Sequence, residues 1–158
     1  MPNTQTIQVP HLGGITTSYQ TPKDSPIDPS KPTLILVNSF TTSSELYRDQ
    51  FANEELKSAM NLVAIELLGH GQTRTKSETW TYWDTAIMNL QVMEGLGIQK
   101  AFVLGTSQGG WITVRMALLA PEKVGLRIFY VASSPSKYID SIVPEISPLY
   151  PSNLGYIL

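Results

Sequence analysis

Five consecutive residues carry the sharpest chemical signal in this sequence: Gly105-Thr106-Ser107-Gln108-Gly109. The spacing is G-x-S-x-G, with an apolar run before it and a helical pattern after it, which is the context this motif requires. A strand that turns at once into a helix holds its central residue in a strained backbone conformation. The flanking positions must let strand and helix close on each other, and a residue without a Cβ allows that. Such a turn lifts the Ser107 hydroxyl above the sheet edge. It also leaves the Gln108 N–H at a helix N-terminus, where negative charge developing on an oxygen is favoured. The chemistry this suits is nucleophilic attack by a serine on an acyl carbonyl. The bland alternative is a glycine-bordered turn with a solvated serine, which leaves the strand–helix context unused.

A serine nucleophile needs a base, and bases are scarce here. The 158 residues hold two histidines, His11 and His70, and both precede Ser107. The acids that follow it are Glu122, Asp140 and Glu145. Without a base the hydroxyl stays nearly neutral and is a poor nucleophile. Cysteine is absent, which removes thiolate nucleophiles, disulfides and Cys-ligated metal sites. No G-x-G-x-x-G opens a strand–helix unit, no H-E-x-x-H occurs, and the glycines at 105–110 lack the spacing and the lysine of a phosphate loop. No cofactor and no metal are therefore expected. Eleven basic against thirteen acidic residues give a net charge of −2, so no nucleic-acid footprint is visible. The start has neither a basic n-region nor an apolar h-region, and no apolar stretch approaches the roughly 18 residues of a membrane span. A soluble, cytoplasmic protein without a membrane partner is the expectation.

The elements that must position Ser107 follow from the apolar pattern. At 42% hydrophobic and 15% charged, the chain has the composition of a folded domain rather than a disordered one. Residues 6–20 read as two short strands around a turn at Gly13-Gly14, with His11 in the turn and expected at the surface. A proline-rich loop over 21–32 follows. Thr33-Leu34-Ile35-Leu36-Val37 is a continuous apolar run that suits a strand covered on both faces. Thr42-Ser43-Ser44-Glu45 fits a capping box and predicts one helix from about Ser43 to Met60. Leu62-Val63-Ala64-Ile65 is the next strand. Trp83, Ala86, Ile87 and Leu90 share a helical face over 81–96, which puts Trp83 in the core; Trp80 and Tyr82 could line a pocket, but the preferred reading is an ordinary aromatic cluster without a binding role. Ala101–Leu104 is a third apolar strand. A helix over 108–120 is apolar nearly all round and so expected to be buried. A fourth strand covers 126–131. This alternation points to an α/β fold with a mostly parallel sheet and helices on both faces.

With these elements in order, the chain resembles the α/β-hydrolase superfamily, the esterase- and lipase-like members with a serine nucleophile. Four collinear passages carry the resemblance over about residues 15–135. Thr33–Val37 looks like the strand that leads into the oxyanion loop. Glu66-Leu67-Leu68-Gly69-His70-Gly71-Gln72-Thr73 looks like the D-x-x-G-H-G-x-S loop, with Glu66 in place of the aspartate in a structural role. Gly105–Gly109 looks like the nucleophile elbow. Ala120-Pro121-Glu122-Lys123-Val124 followed by Leu126–Val131 and Ala132-Ser133-Ser134-Pro135 looks like the P-E-x-V…S-P passage. The chain's general look is also similar to fungal members from secondary metabolism, a likeness carried by no single motif.

The resemblance implies roles. Ser107 would be the nucleophile, and the backbone N–H groups of Phe40 and Gln108 the oxyanion hole, with Gly105 and Gly109 as elbow glycines. The oxyanion loop departs from the usual H-G-x: it reads Asn38-Ser39-Phe40, and Ser39 in place of glycine is expected to shift the loop's dihedrals. His70 matches a loop histidine that is not the triad base. The superfamily orders its triad as serine, acid, histidine, and no histidine follows Ser107 here. A serine at the elbow disfavours epoxide hydrolases and haloalkane dehalogenases, which place aspartate there. The reading is thus a serine hydrolase acting on a small-molecule ester or thioester, with an acyltransferase and a non-catalytic interaction module as alternatives. About six of the superfamily's eight core strands are accounted for. The N-terminal part of the core is assigned to residues 1–135, and 136–158 to the start of a cap or lid or a disordered tail. The strand at 126–131 would then be an open edge through which the chain self-associates.

Overall fold

In the computed structural model, which describes residues 3–23 and 26–131, the sheet is built outward from its two most apolar strands. Strand β3 (Thr33–Val37) and strand β4 (Asn61–Ile65) are buried along their whole length. They pair in parallel, Leu34 opposite Leu62 and Val37 opposite Ile65. Side chains alternate across a strand, and the core divides accordingly. Ile35, Val37, Val63 and Ile65 face one apolar layer. Leu34, Leu36, Leu62 and Ala64 face another with Tyr47, Phe51 and Leu56. The expected strand covered on both faces is this arrangement.

Strands β1 (Asn3–Val9) and β2 (Ile15–Thr21) form the N-terminal hairpin, whose tip at His11–Gly13 is a 3₁₀ turn. The hairpin joins the sheet through antiparallel pairing of β2 with β4. A two-residue strand, β5 (Arg74–Thr75), which the sequence pattern did not predict, also pairs with β2. On the other side β6 (Ala101–Thr106) lies parallel to β3, and β7 (Val124–Val131) parallel to β6. The strand order is β1-β2-β4-β3-β6-β7. The chain passes from β3 to β4 on one side and returns to β6 on the other. The point where it reverses therefore falls between the C-terminal ends of β3 and β6. In open α/β sheets this is where loops diverge and leave a crevice.

The helices differ from expectation in three ways. The single helix expected over 43–60 is instead a 3₁₀ turn, Ser44–Tyr47, followed by α1 (Arg48–Ala52) and α2 (Glu54–Ala59). It does start at Ser43, whose Oγ accepts from the Glu45 N–H at 3.3 Å. It breaks at Asn53, which is extended and caps α2 by accepting from the Leu56 N–H at 2.9 Å. Asparagine competes for backbone partners in this way and so favours caps over helix interiors. Helix α3 (Tyr82–Gly95) lies where predicted, but its buried face holds Thr85, Ala86, Met88, Asn89, Val92 and Met93. Trp83 stands outside the core at 43% exposure, its ring under the Arg115 guanidinium at 5.1 Å. Two buried polar residues hid this face from a hydropathy pattern; Asn89 donates to Met116 Sδ. Helix α4 (Gln108–Leu119) buries Ile112, Thr113 and Met116 but exposes Trp111 and Leu118, so it is not apolar-buried all round.

His11 is likewise not a free surface residue. Its Nε2 lies 2.8 Å from Asp84 Oδ1, with both side chains about one-fifth exposed. Asp84 Oδ2 in turn accepts from the Thr81 N–H and hydroxyl at 2.6 and 2.7 Å. The hairpin tip is thereby fastened to the N-terminus of α3. Residues 132–158, which include the expected cap or tail segment, lie outside the described residues.

Candidate active site

The β6–α4 turn places Ser107 at φ 52°, ψ −113°. Its side chain is exposed and makes no cap bond to the helix. These dihedrals are those of the first central position of a type II′ turn, which favours glycine. A serine held there is strained, and such strain clusters at functional sites. The two glycines show what holds it. A Cβ on Gly105 would overlap the Gly109 backbone and Thr113 Oγ1, and one on Gly109 would overlap the carbonyls of Val37 and Asn38. The elbow is thus packed backbone-to-backbone against the end of β3, closer than any side chain permits. Tyr47 supports it from below. Its buried hydroxyl donates to the Val37 carbonyl at 2.7 Å and lies 3.3 Å from Thr106 Oγ1. Burial pushes this phenol well above its ordinary range, so it stays a neutral donor.

The loop after β3 faces the elbow. Val37 pairs with Gly105, and Phe40 and Gln108 each stand three residues beyond that pair. Their N–H groups have no acceptor among the described residues. For Gln108 this follows from its place at a helix start. For Phe40 the cause is the peptide plane it shares with Ser39. The Ser39 carbonyl accepts from Asn38 Nδ2 at 3.0 Å, the Thr42 N–H at 3.3 Å and the Thr42 hydroxyl at 2.9 Å. A trans peptide points its N–H opposite to its C=O, so anchoring the carbonyl inward turns the Phe40 N–H outward. The structure thus places all five sequence-predicted residues on two adjoining segments at the C-terminal ends of β3 and β6: Phe40 on the loop after Val37, and Gly105, Ser107, Gln108 and Gly109 on the turn packed against it. Ser39 does not take a left-handed conformation; Thr41 does, at φ 61°. The dihedral adjustment expected at Ser39 falls two residues later.

Sequence reasoning missed Asn38 as a holder of this loop and gave Glu66 a structural role without its partners. Asn38, fully buried, also donates to the Thr42 carbonyl at 2.9 Å and accepts from the Leu67 N–H at 3.3 Å. It ties the loop after β3 to the loop after β4. Glu66 does the same from the other side. Its Oε1 accepts from the Ser44 hydroxyl at 2.9 Å, and its Oε2 from the Gln72 N–H at 2.8 Å. Burial pushes the Glu66 carboxyl up, but the bonds from Gln72 and Ser44 outweigh it and hold the group below the usual glutamate range. Gly71 must be glycine here, since a Cβ would run into the Glu66 carboxylate. The structural role expected for Glu66 is therefore concrete. His70 has both ring nitrogens engaged: Nδ1 lies 3.1 Å from the Leu68 carbonyl, and Nε2 3.2 Å from the Thr41 N. Its ring meets Phe40 edge-on at 5.9 Å, and Trp80 lies over the adjoining Gly69. Neither histidine of the chain is thus available to Ser107 as arranged. Among the described residues no cluster of His, Asp and Glu could hold a metal, and no helix is long and apolar enough to cross a membrane.

Comparison with known proteins agrees with this architecture. A family model described as alpha/beta hydrolase fold matches residues 32–156. Epoxide hydrolase 4 of Mus musculus is 27% identical over 128 residues, covering 80% of this chain and 35% of that protein. An uncharacterized hydrolase of Bacillus subtilis (strain 168), YugF, is 28% identical over 96 residues, 60% of this chain and 34% of its own length. Among solved structures, an epoxide hydrolase from Vigna radiata superposes with a TM-score of 0.64 at 19% identity, covering 82% of this chain and 39% of that one. The chain spans about a third of the length of these curated relatives.

Proposed function

The chain belongs to the alpha/beta hydrolase fold family, and from that membership we propose that it carries the nucleophile and oxyanion donors of a serine hydrolase acting on an ester or thioester. The observation that carries this reading is Ser107, exposed at φ 52°, ψ −113° on a turn closed by two obligatory glycines. In the reaction, Ser107 Oγ bonds to the acyl carbon, and the carbonyl oxygen takes up the electron pair between the Phe40 and Gln108 N–H groups. Collapse of that adduct breaks the bond to the alcohol or thiol, which leaves with the serine proton. Water then attacks the acyl-enzyme, releases the acid and restores the hydroxyl. Relatives named as epoxide hydrolases share the fold. Epoxide opening in that branch is expected to use a carboxylate at the elbow, and position 107 is a serine, which supports acyl chemistry instead.

A second reading, a non-catalytic module, rests on a different observation. His70 and His11 are both engaged elsewhere, and no other histidine occurs in the sequence. One experiment separates the two. A fluorophosphonate probe is expected to label the wild-type chain slowly at Ser107, since an oxyanion hole alone leaves a residual rate when a triad member is missing. Ser107→Ala is expected not to label. A folded wild type that labels no faster than Ser107→Ala overturns the hydrolase reading in favour of the module.

A further inference from the structure

We infer that His70 is a positioning residue for the oxyanion loop, its neutral imidazole holding the left-handed turn at Thr41 that sets the aim of the Phe40 N–H. The inference rests on the hydrolase reading for its catalytic consequence, but its geometry stands alone. The Leu68 carbonyl can only accept, so Nδ1 carries the ring hydrogen. The Thr41 N–H can only donate, so Nε2 is bare. The two partners together fix one tautomer of the uncharged ring.

What this holds is strained. Thr41 has φ 61°, and a β-branched residue in the left-handed region is an outlier that persists only when its surroundings over-determine it. The peptide between Phe40 and Thr41 is pinned at both ends: its N–H by His70 Nε2, its carbonyl by the Thr41 hydroxyl at 2.7 Å. The preceding peptide, which bears the Phe40 N–H, is pinned through the Ser39 carbonyl by Asn38 and Thr42. Of these anchors, the His70 ring is the one that comes from the loop after β4 onto the strained residue itself. Without an acceptor at Nε2, Thr41 is free to relax to negative φ, and the peptide before it turns with it. An imidazolium would act as a deletion does, because both its nitrogens donate.

Two substitutions separate positioning from bulk packing. In His70→Gln the amide oxygen reaches about as far as Nε2 and can accept from Thr41. In His70→Asn the side chain ends near the position of Nδ1 and cannot. The Thr41 amide is expected to exchange slowly with solvent in the wild type and in His70→Gln, and at least about ten-fold faster in His70→Asn. Nitrogen-15 spectra of the wild-type imidazole are expected to show a protonated Nδ1 and an unprotonated Nε2. Fluorophosphonate labelling of Ser107 is expected to fall about ten-fold in His70→Asn and to return in His70→Gln, a loss smaller than removal of an oxyanion donor outright. A protonated Nε2 in the neutral wild type, or equal Thr41 exchange in the Asn and Gln variants, overturns the inference. The exchange and nitrogen spectra need no activity. A chain that never labels but shows the expected Thr41 pattern therefore refutes the hydrolase reading and leaves the role of His70 intact.

Discussion

Replacing Ser107 by glycine should stabilise the chain relative to replacing it by alanine, which reverses the usual order. At most positions glycine is less stable than alanine by roughly 0.5–1 kcal/mol, because the unfolded chain gains freedom. At φ 52°, ψ −113° any Cβ is strained, at a cost of order 1–3 kcal/mol. For glycine the same angles are the mirror image of an ordinary extended turn conformation. Alanine keeps the Cβ and loses only an exposed hydroxyl that makes no cap bond, a change within about 0.5 kcal/mol. The strain relieved by glycine outweighs its entropic cost, leaving Ser107→Gly more stable than Ser107→Ala by about 1 kcal/mol. For a chain of this size that is roughly 2–4 °C in Tm. Urea and thermal unfolding of both variants beside the wild type read the difference. If Ser107→Gly melts below Ser107→Ala, the serine is not strained as described, and the elbow argument fails with it.

Gly109→Ala should destabilise by about 2 kcal/mol or more despite alanine's better helix propensity, since the new methyl meets strand backbone at Val37 and Asn38 that cannot swing aside; an unchanged urea midpoint would count against this packing. Glu66→Gln should cost roughly 1–3 kcal/mol at neutral pH, because in either orientation the new NH2 faces a backbone N–H, that of Gln72 or that of Ser44, where the carboxylate accepted from both. The Glu66 carboxyl sits below its unfolded range, so its contribution is full above about pH 4.3 and fades as pH falls through the folded value; the gap between wild type and Glu66→Gln should narrow on acidification in paired denaturation curves, and a widening gap would refute the sign. Asp84→Ala should cost about 1–2 kcal/mol through loss of the Thr81 and His11 bonds, and a cycle with His11→Ala should show coupling of at least about 0.5 kcal/mol; strict additivity would mean that the 2.8 Å pair contributes nothing.

The parts of this fold that were legible beforehand are those written in short stretches. The apolar run of β3 declares a buried strand within five residues, and the elbow declares its geometry within Gly105–Gly109. What escaped depends on partners far apart. Asn38 meets Leu67, and Thr41 meets His70; nothing near Asn38 or Thr41 in the sequence hints at either bond. The helix break at Asn53 and the rotated face of α3 escaped for a different reason. Both turn on polar residues, a capping asparagine and the buried Asn89, which a hydropathy period counts as solvent-facing. The hairpin turn around Gly13-Gly14 was readable, but the attachment of His11 to α3 was not, since Asp84 is far along the chain.

The position of β3 between β4 and β6 has a consequence for how the chain is made. As the polypeptide leaves the ribosome, β1 and β2 can close as a local hairpin, and β3 finds β4 after one short helical excursion. The other edge of β3 must wait for Phe102 to Gly105 to emerge, and contacts closed over such long loops form slowly. Until then, a strand whose residues are all buried in the finished fold offers an open edge to any other nascent chain. That same late event joins the loop bearing Phe40 to the turn bearing Ser107. The site therefore has no partial version: its two halves stay apart until Phe102 to Gly105 pair with β3, and the step that joins them also closes the open edge of that strand.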